Sequence, residues 1–582
     1  MRFSANIPTA MASSIAMCRL HMRGRNSLVK YLKKVDTFLH KNTLTSAAVL
    51  GEALRKDETD EKDGRKSLHA VQEERQGQAE RSVLIGCPPK TSEKRFLKHL
   101  SRHGDISKCF FYESYGVYAV VEFARLDSVA SLLEEAAIPN SSHEAVVPFK
   151  SRLLSLKNLG SVDSPNQQSG HQCQPQTAIP ISQLTQSLSR KESIEHQITS
   201  LTEAYQLTEE NTRLRFLVCS LLKDIASAYF PECSIKPFGS SVNGFGKLGC
   251  DLDMILDLDN ISGRKTNMPK SGLSLEYQLK RANSERAVTQ SILSVIGECL
   301  DQFGPGCVGV QKILNARCPL LRFAHQPSGF QCDLTANNRV AIKSTELLYL
   351  YGELDPRVRF LVFTVRCWAR THGITSSIPG AWITNFSLTV MVLFFLQKRN
   401  PPIIPTLDHL KNLAGPEDKS VVEGNDCTFV SDFSKIQLQN NTETLENLLH
   451  DFFEFYAKFA FSKMSINIRK GKEQNKPEVA PLHIQNPFET SLNVSKNVNT
   501  TQLDRFVALC QESSWLLHQS QTTPPKGHKQ GNNPTPWGLA TLLLPSQVAG
   551  IKSQKKKRRG PATERIKSLL ESLKNNSKPE KS

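Results

Sequence analysis

The run Phe238-Gly239-Ser240-Ser241, then Cys250-Asp251-Leu252-Asp253-Met254-Ile255-Leu256, with ten residues between Ser240 and Asp251, decides how this sequence folds. Its second half reads as a buried strand. A spacing of two sends the carboxylates of Asp251 and Asp253 to one face of a sheet. Like charges held that close are costly unless a cation lies between them. Gly239-Ser240 supplies a tight turn, close backbone approach and a hydroxyl for a phosphate oxygen. No Gly-Lys-Ser/Thr follows, so this is not a P-loop. A third carboxylate, Asp333, lies in the strand-like run Gly329-Phe330-Gln331-Cys332-Asp333-Leu334. Asp257 and Asp259 repeat the spacing and read as a solvated strand end.

Three carboxylates and a Gly-Ser turn suit nucleotidyl transfer assisted by two metal ions. The pattern resembles the DNA polymerase β-type nucleotidyltransferases, whose signature is Gly-Ser, a spacer, Asp-x-Asp and a distant third Asp.

At 582 residues the chain has room for about three or four domains. Its 14 cysteines are scattered and form no Cys-x-x-Cys, which disfavours a zinc site and fits free thiols in a reducing compartment. The net charge of +17 is uneven: residues 1–35 hold seven Lys/Arg and residues 552–559 six, with no acid in either. Removing both leaves +4 for the body. Contacts with RNA must therefore be local rather than a whole-surface field. The longest apolar run, Phe386–Leu396, is a buried helix too short to span a bilayer, so no membrane insertion is expected.

Residues 1–40 have the composition of a mitochondrial presequence, the simpler alternative being a basic nucleic-acid-binding arm. Residues 41–78 read as a charged, helix-permissive linker. Residues 79–155 resemble an RRM: a strand at Ser82–Cys87, a helix at Glu93–Ser101, a strand at Tyr115–Phe123, a helix at Ser128–Ala136 and a last strand at Ala145–Phe149. Its RNA-stacking stretches are degenerate, with Leu84 and Val120 at aromatic positions and only Tyr118 retained, which argues against a strong RNA reader. An exposed apolar sheet face points instead to a protein contact, expected to be self-association as a homodimer.

Residues 156–192 are rich in Gln, Ser and Pro and read as a flexible linker. Amphipathic helices resume from Ser193 to Tyr229, and the sheet domain extends to about 345, with a helix at Ser284–Phe303. Residues 346–520 become helical. Arg366 and Arg370, four apart, share a helical face. On periodicity alone they are two solvated arginines flanking a core Trp368. Lys470, Lys472 and Lys476 lie in a loop that is either solvated or steers RNA. Residues 521–582 read as a basic, largely disordered tail, with Lys555-Lys556-Lys557-Arg558-Arg559 as an RNA-contacting arm and a short helix at Ile566–Leu573.

The strings Phe238–Met254 and Ile378–Leu388 narrow the resemblance to the poly(A) polymerase and terminal uridylyltransferase family. The presequence and the RRM-like domain point to its mitochondrial branch, acting in the matrix. The resemblance implies an α+β fold: a nucleotidyltransferase palm over 193–345, a helical central domain over 346–520, and the small α/β domain in front. It implies that Asp251, Asp253 and Asp333 are catalytic and hold two Mg²⁺ or Mn²⁺ ions. Gly239 and Ser240 would grip the outer phosphates, and Arg366 and Arg370 would face the triphosphate. Asn385 and Phe386 match a Ser-Tyr pair that contacts phosphate and stacks on the base, and Ser344 replaces a ribose-binding Asn. Val422–Asn425 and Ile484–Glu489, which includes Asn486, resemble the nucleotide-recognition region. Leu492 stands where uridylyltransferases tend to carry a uracil-contacting His. An apolar side chain there removes a base-specific polar contact and favours ATP over UTP. The implied reaction adds AMP from ATP to RNA 3′ ends. A uridylyltransferase or CCA-type enzyme, or an inactive RNA-binding scaffold, is the alternative.

Overall fold

The computed structural model describes residues 65–88, 91–135, 150–155, 173–231, 233–257, 284–376, 378, 380–522 and 535–545. The expected presequence, residues 41–64 of the expected linker, the expected strand at 145–149, Asp259, the basic run at 552–559 and the expected helix at 566–573 lie outside them. Among the described residues no helix is long and apolar enough to cross a membrane, and none of the 13 cysteines is in a disulfide.

Residues 68–80 do not form a linker. They are helix α1 (Leu68–Glu80), capped by Ser67, whose Oγ accepts the Ala70 N–H. The charges that read as linker composition are engaged: Arg75 pairs with Glu209, and Lys223 pairs with Glu80. Next come β1 (Ser82–Cys87), α2 (Glu93–Leu100), β2 (Ile106–Glu113), β3 (Val117–Phe123), α3 (Leu126–Glu135), β4 (Leu153–Ser155) and β5 (Cys173–Gln174). They make a five-stranded sheet of order β4-β1-β3-β2-β5. Strand β2 was not expected, since its run Cys109-Phe110-Phe111-Tyr112 has no polar alternation. Among the described residues the next strand is at 153–155; the one expected at 145–149 falls outside them.

The missing alternation has a cause. This sheet is covered on both faces, and such strands read as continuous apolar runs. Val83, Ile85, Phe111, Ala119 and Val121 pack with Phe96 and Leu100 of α2 and Leu132 of α3. Leu84, Phe110, Tyr112 and Val120 pack instead on Leu214, Leu217 and Leu221 of a long helix of the next domain. The face expected to be exposed for self-association is therefore buried within the chain, against its own catalytic domain. Tyr112 Oη donates to the Pro327 carbonyl at 2.7 Å and secures this contact.

The segment expected as a flexible linker contains β5 and α4 (Ile181–Leu188), with Leu184 and Leu188 in the core. It leads into α5 (Ile194–Tyr205) and α6 (Glu209–Ser227), capped by Ser193 and Thr208. The second sheet is built from β6 (Ser234–Pro237), β7 (Leu252–Asp257), β8 (Cys307–Ile313), β9 (Leu320–His325) and β10 (Phe330–Ala336), in the order β6-β7-β10-β9-β8. Only the central β7–β10 pair is parallel. One face, with Leu252, Met254, Cys332 and Leu334, packs on α6 and on α7 (Glu285–Phe303). The other face carries the aspartates.

The helical part follows as α8 (Arg339–Leu354), α9 (Pro356–Thr371), α10 (Asn385–Gln397), α11 (Leu407–Asn412), α12 (Leu445–Lys458) and α13 (Thr500–Thr522). A small hairpin, β11 (Val421–Val422) and β12 (Asn425–Asp426), interrupts them. Helix α10 is buried on all sides, and Trp368 is fully buried against Phe453 and Phe506. The tail does not begin at 521 as expected. Residues 535–545 carry α14 (Leu539–Leu542), and Leu539 N donates to the buried Gln197 side chain at 2.7 Å.

Candidate active site

Parallel pairing of β7 with β10 sets Asp253 directly opposite Asp333. Register partners share a face, and Asp251 precedes Asp253 by two, so the three carboxylates point the same way. Gly239 closes on them from the preceding turn. Its φ is 63°, its N–H donates to Thr345 Oγ1 at 2.9 Å, and a Cβ there would lie 3.3 Å from Asp253 Oδ2. Only glycine combines that backbone angle with that approach.

Two arginines that sequence reasoning missed frame the carboxylates. Arg215 on α6 is fully buried, donates to the carbonyls of Cys250 (2.7 Å) and Asp251 (2.9 Å) and to Ser241 Oγ (2.9 Å), and lies over the Phe330 ring. Arg322 on β9 grips both oxygens of Asp333, Nε to Oδ1 at 2.8 Å and Nη2 to Oδ2 at 2.6 Å. A signal for Arg322 existed: Gln326-Pro327-Ser328-Gly329 is a turn sequence, and a hairpin centred on it pairs residue 322 with 333. Arg215 had none beyond an arginine on the apolar side of a helix.

Burial, then the charges of Asp333 and Asp251, push the Asp253 carboxyl up to about 7. Burial and Asp333 also raise Asp251. The arginines do not neutralise the group, so the residues fit divalent cations.

Beside the carboxylates a cleft of about 530 Å³ separates the sheet domain from the helical one. It is lined by Gly239, Ser240, Asp253, Ser344, Arg366, Asn385, Phe386, Glu423, Asn486, Glu489 and Leu492, which the sequence had named, and by Asn338, Arg317 and Cys318 among others. Thr384 caps α10 by accepting the Ser387 N–H at 3.1 Å, which places Asn385 and Phe386 in its first turn, where backbone N–H groups are free for an anion. Burial pushes the Arg366 guanidinium down to about 10, and its Nη1 donates to the Phe245 carbonyl at 2.8 Å.

Several expectations change. Of the two arginines of α9, Arg366 lines the cleft, whereas Arg370 is exposed and lies outside its lining. The Ser344 hydroxyl donates to the Val340 carbonyl at 3.0 Å and keeps only acceptor capacity. Asn486 Oδ1 accepts the N–H groups of Phe488 (2.9 Å) and Glu489 (3.0 Å), so it shapes the loop facing the cleft. Lys476 donates to the Pro481 carbonyl at 3.0 Å and serves loop closure.

Three family profiles match the chain. One described as poly(A) RNA polymerase, mitochondrial-like, central palm domain covers residues 194–353. An RL domain covers 67–137, and a Cid1 family poly A polymerase profile covers 444–492. The chain is 58% identical over 512 residues to poly(A) RNA polymerase, mitochondrial, of Mus musculus, covering 88% of this chain and 87% of the relative. The Homo sapiens protein of that name is 55% identical, with 92% of each chain covered. A crystal structure of mtPAP in complex with ATPγS, 54% identical, superposes with a TM-score of 0.75 over 83% of this chain and 100% of that one. Another holds UTP, at 55% identity and a TM-score of 0.75. With identity of this order over most of both chains, this protein belongs to the mitochondrial poly(A) RNA polymerase family.

Proposed function

We propose that the chain is a mitochondrial poly(A) polymerase, adding AMP from ATP to the 3′-OH of RNA without a template and releasing pyrophosphate. The observation that carries the reading is the register of Asp253 and Asp333 beneath the Gly239 turn, at the mouth of a nucleotide-sized cleft.

Asp251, Asp253 and Asp333 are the residues that would hold Mg²⁺ or Mn²⁺ ions, two by the chemistry of the class, and these supply charge neutralisation at the reacting oxygens. The protein's own part is positioning and electrostatics. Ser240 and the first turn of α10 offer N–H and hydroxyl groups to the outer phosphates, and Gly239 allows their close approach to the backbone. Arg366 adds a fixed charge from the cleft wall. Phe386 presents a ring face for the base, and Leu492 presents apolar surface. Action in the matrix follows from the presequence-like composition of residues 1–40. A homodimer through the RRM-like domain must use an edge or an outer helical face, because its other sheet face is covered; light scattering on the purified chain tests this.

The experiment is extension of a labelled RNA with a free 3′-OH by each nucleotide singly, with Asp333→Ala as control. Long products with ATP, absent in the variant, are expected. Equal extension with UTP would assign the chain to the uridylyltransferases, and none with any nucleotide would leave a scaffold.

A further inference from the structure

The open face of the catalytic sheet carries a row of register partners, Asp253 on β7, Asp333 on β10, Arg322 on β9 and Gln311 on β8. Inward from Asp333 the row meets the nucleotide cleft. Outward it meets solvent: the Arg322 side chain is 46% exposed, and Gln311 and Gln331 are exposed. RNA bringing its 3′-OH to the aspartates must come from this outer side, because Gly239 and the cleft occupy the other.

Arg322 is the cation on that approach. It holds Asp333 by Nε and Nη2, which leaves Nη1 unused by that pair. Antiparallel partners are only about 5 Å apart at Cα, so Asp333 and Arg322 address neighbouring groups of one substrate. Where Asp333 faces a 3′-OH, the next anion outward is the phosphodiester on the other side of the same sugar. A planar guanidinium that already fits a carboxylate fits a phosphate with the same fork. Cation binding at Asp333 would also compete for the oxygens that Arg322 holds.

We propose that Arg322 is a positioning residue that binds the terminal phosphodiester of the RNA and passes between it and Asp333 during the reaction cycle. The inference rests on the RNA 3′-end transferase reading above.

The test is fluorescence anisotropy of a labelled oligoadenylate with a free 3′-OH, titrated with the full chain in Mg²⁺ without ATP. Asp333→Asn is the background, because it releases Arg322 from its carboxylate. There, Arg322→Gln should weaken RNA binding about tenfold and reduce the slope of log K against log salt by about 0.7. Arg322→Lys should recover most of both. An oligonucleotide with a neutral methylphosphonate at its last linkage should bind equally to the background protein and to the same protein carrying Arg322→Gln. Unchanged affinity and slope for Arg322→Gln in this background would overturn the proposal and confine Arg322 to serving Asp333. Loss of affinity with the methylphosphonate oligonucleotide as well would overturn the choice of phosphate. If the unsubstituted chain adds no AMP to RNA, the polymerase reading fails, while the binding comparison still decides the role of Arg322.

Discussion

Arg215, fully buried in α6, donates to the carbonyl of Asp251 at 2.9 Å and so fixes the backbone where the Asp-x-Asp strand begins. It also holds Ser241 and Cys250, joining the two halves of the motif across the spacer. Among the described residues no ion pair satisfies it; two carbonyls, the Ser241 hydroxyl and the Asn211 side chain do. Arg215→Met leaves those buried acceptors without donors. The expected cost is about 3 kcal/mol of stability and about a hundredfold in kcat, through displaced carboxylates. Urea unfolding and steady-state extension would check both, and a loss confined to stability would deny Arg215 its positioning part.

Burial of the carboxylates, and then their mutual repulsion, make the metal-free site unstable. The Asp253 carboxyl is raised from 3.8 to about 7, first by burial and then by Asp333 and Asp251. A raised pKa gives stability that is complete below the unfolded value and is lost as pH rises through the folded one. In chelator at pH 7.5 the ionised group therefore costs on the order of 3–4 kcal/mol. Asp253→Asn should raise the melting temperature in chelator while lowering kcat about a thousandfold. Mg²⁺ should stabilise the unsubstituted chain far more than the variant. A variant that melts lower in chelator would show that the buried charge of Asp253 does not destabilise the metal-free site.

These two cases mark what the sequence could show. A spacing of two and a glycine turn are local facts, so the aspartates and Gly239 were legible, as were the helices with clear 3.6-residue periods and Ser or Thr caps. What covers a face is not local. Apolar Leu84 and Val120 announced a contact, but only the fold adds Phe110 and Tyr112 to that row and shows that α6 covers it. Arg322 needed the register of a hairpin, and Arg215 needed the knowledge that backbone carbonyls of the spacer converge on it. Helix α1 read as linker because its stabilising partners, such as Glu209 for Arg75, lie 134 residues away.

His325, at the end of β9, supplies a second pH dependence, opposite in sign. It is buried with Ser328 Oγ 2.8 Å from its Nδ1, and burial pushes the imidazole down to about 4, against a backbone hydrogen bond at Pro305. The unfolded chain takes up this proton near 6.5 and the folded chain only near 4, so stability falls between those values as pH drops. The expected loss is about 3 kcal/mol. Because Asp253 gains stability over part of the same range, the measurement belongs in the Asp253→Asn background, compared with the same protein carrying His325→Asn. Parallel stability curves from pH 7 to 4 would mean that His325 protonates alike in both states.

Arg152 decides whether the RRM-like domain is an appendage or part of the catalytic body. It immediately precedes β4 and is 6% exposed. Its guanidinium donates to Asp224 (2.8 Å) and Ser220 (2.6 Å) on α6, and to the carbonyls of Ala79 (2.7 Å) and Ser82 (3.2 Å) around the start of β1. One side chain thus ties α1, the small sheet and the helix beneath the catalytic strands. Arg152→Ala leaves half-buried Asp224 without that cation and the carbonyls of Ala79 and Ser82 without their donor, a change worth about 2–3 kcal/mol. Calorimetry should then show two transitions where the unsubstituted chain shows one, with the small domain melting first. Since Leu84 and Val120 of that domain pack on α6, and α6 carries Arg215, kcat should fall once the first transition is passed. A single unshifted transition would mean that the apolar face alone holds the domains together.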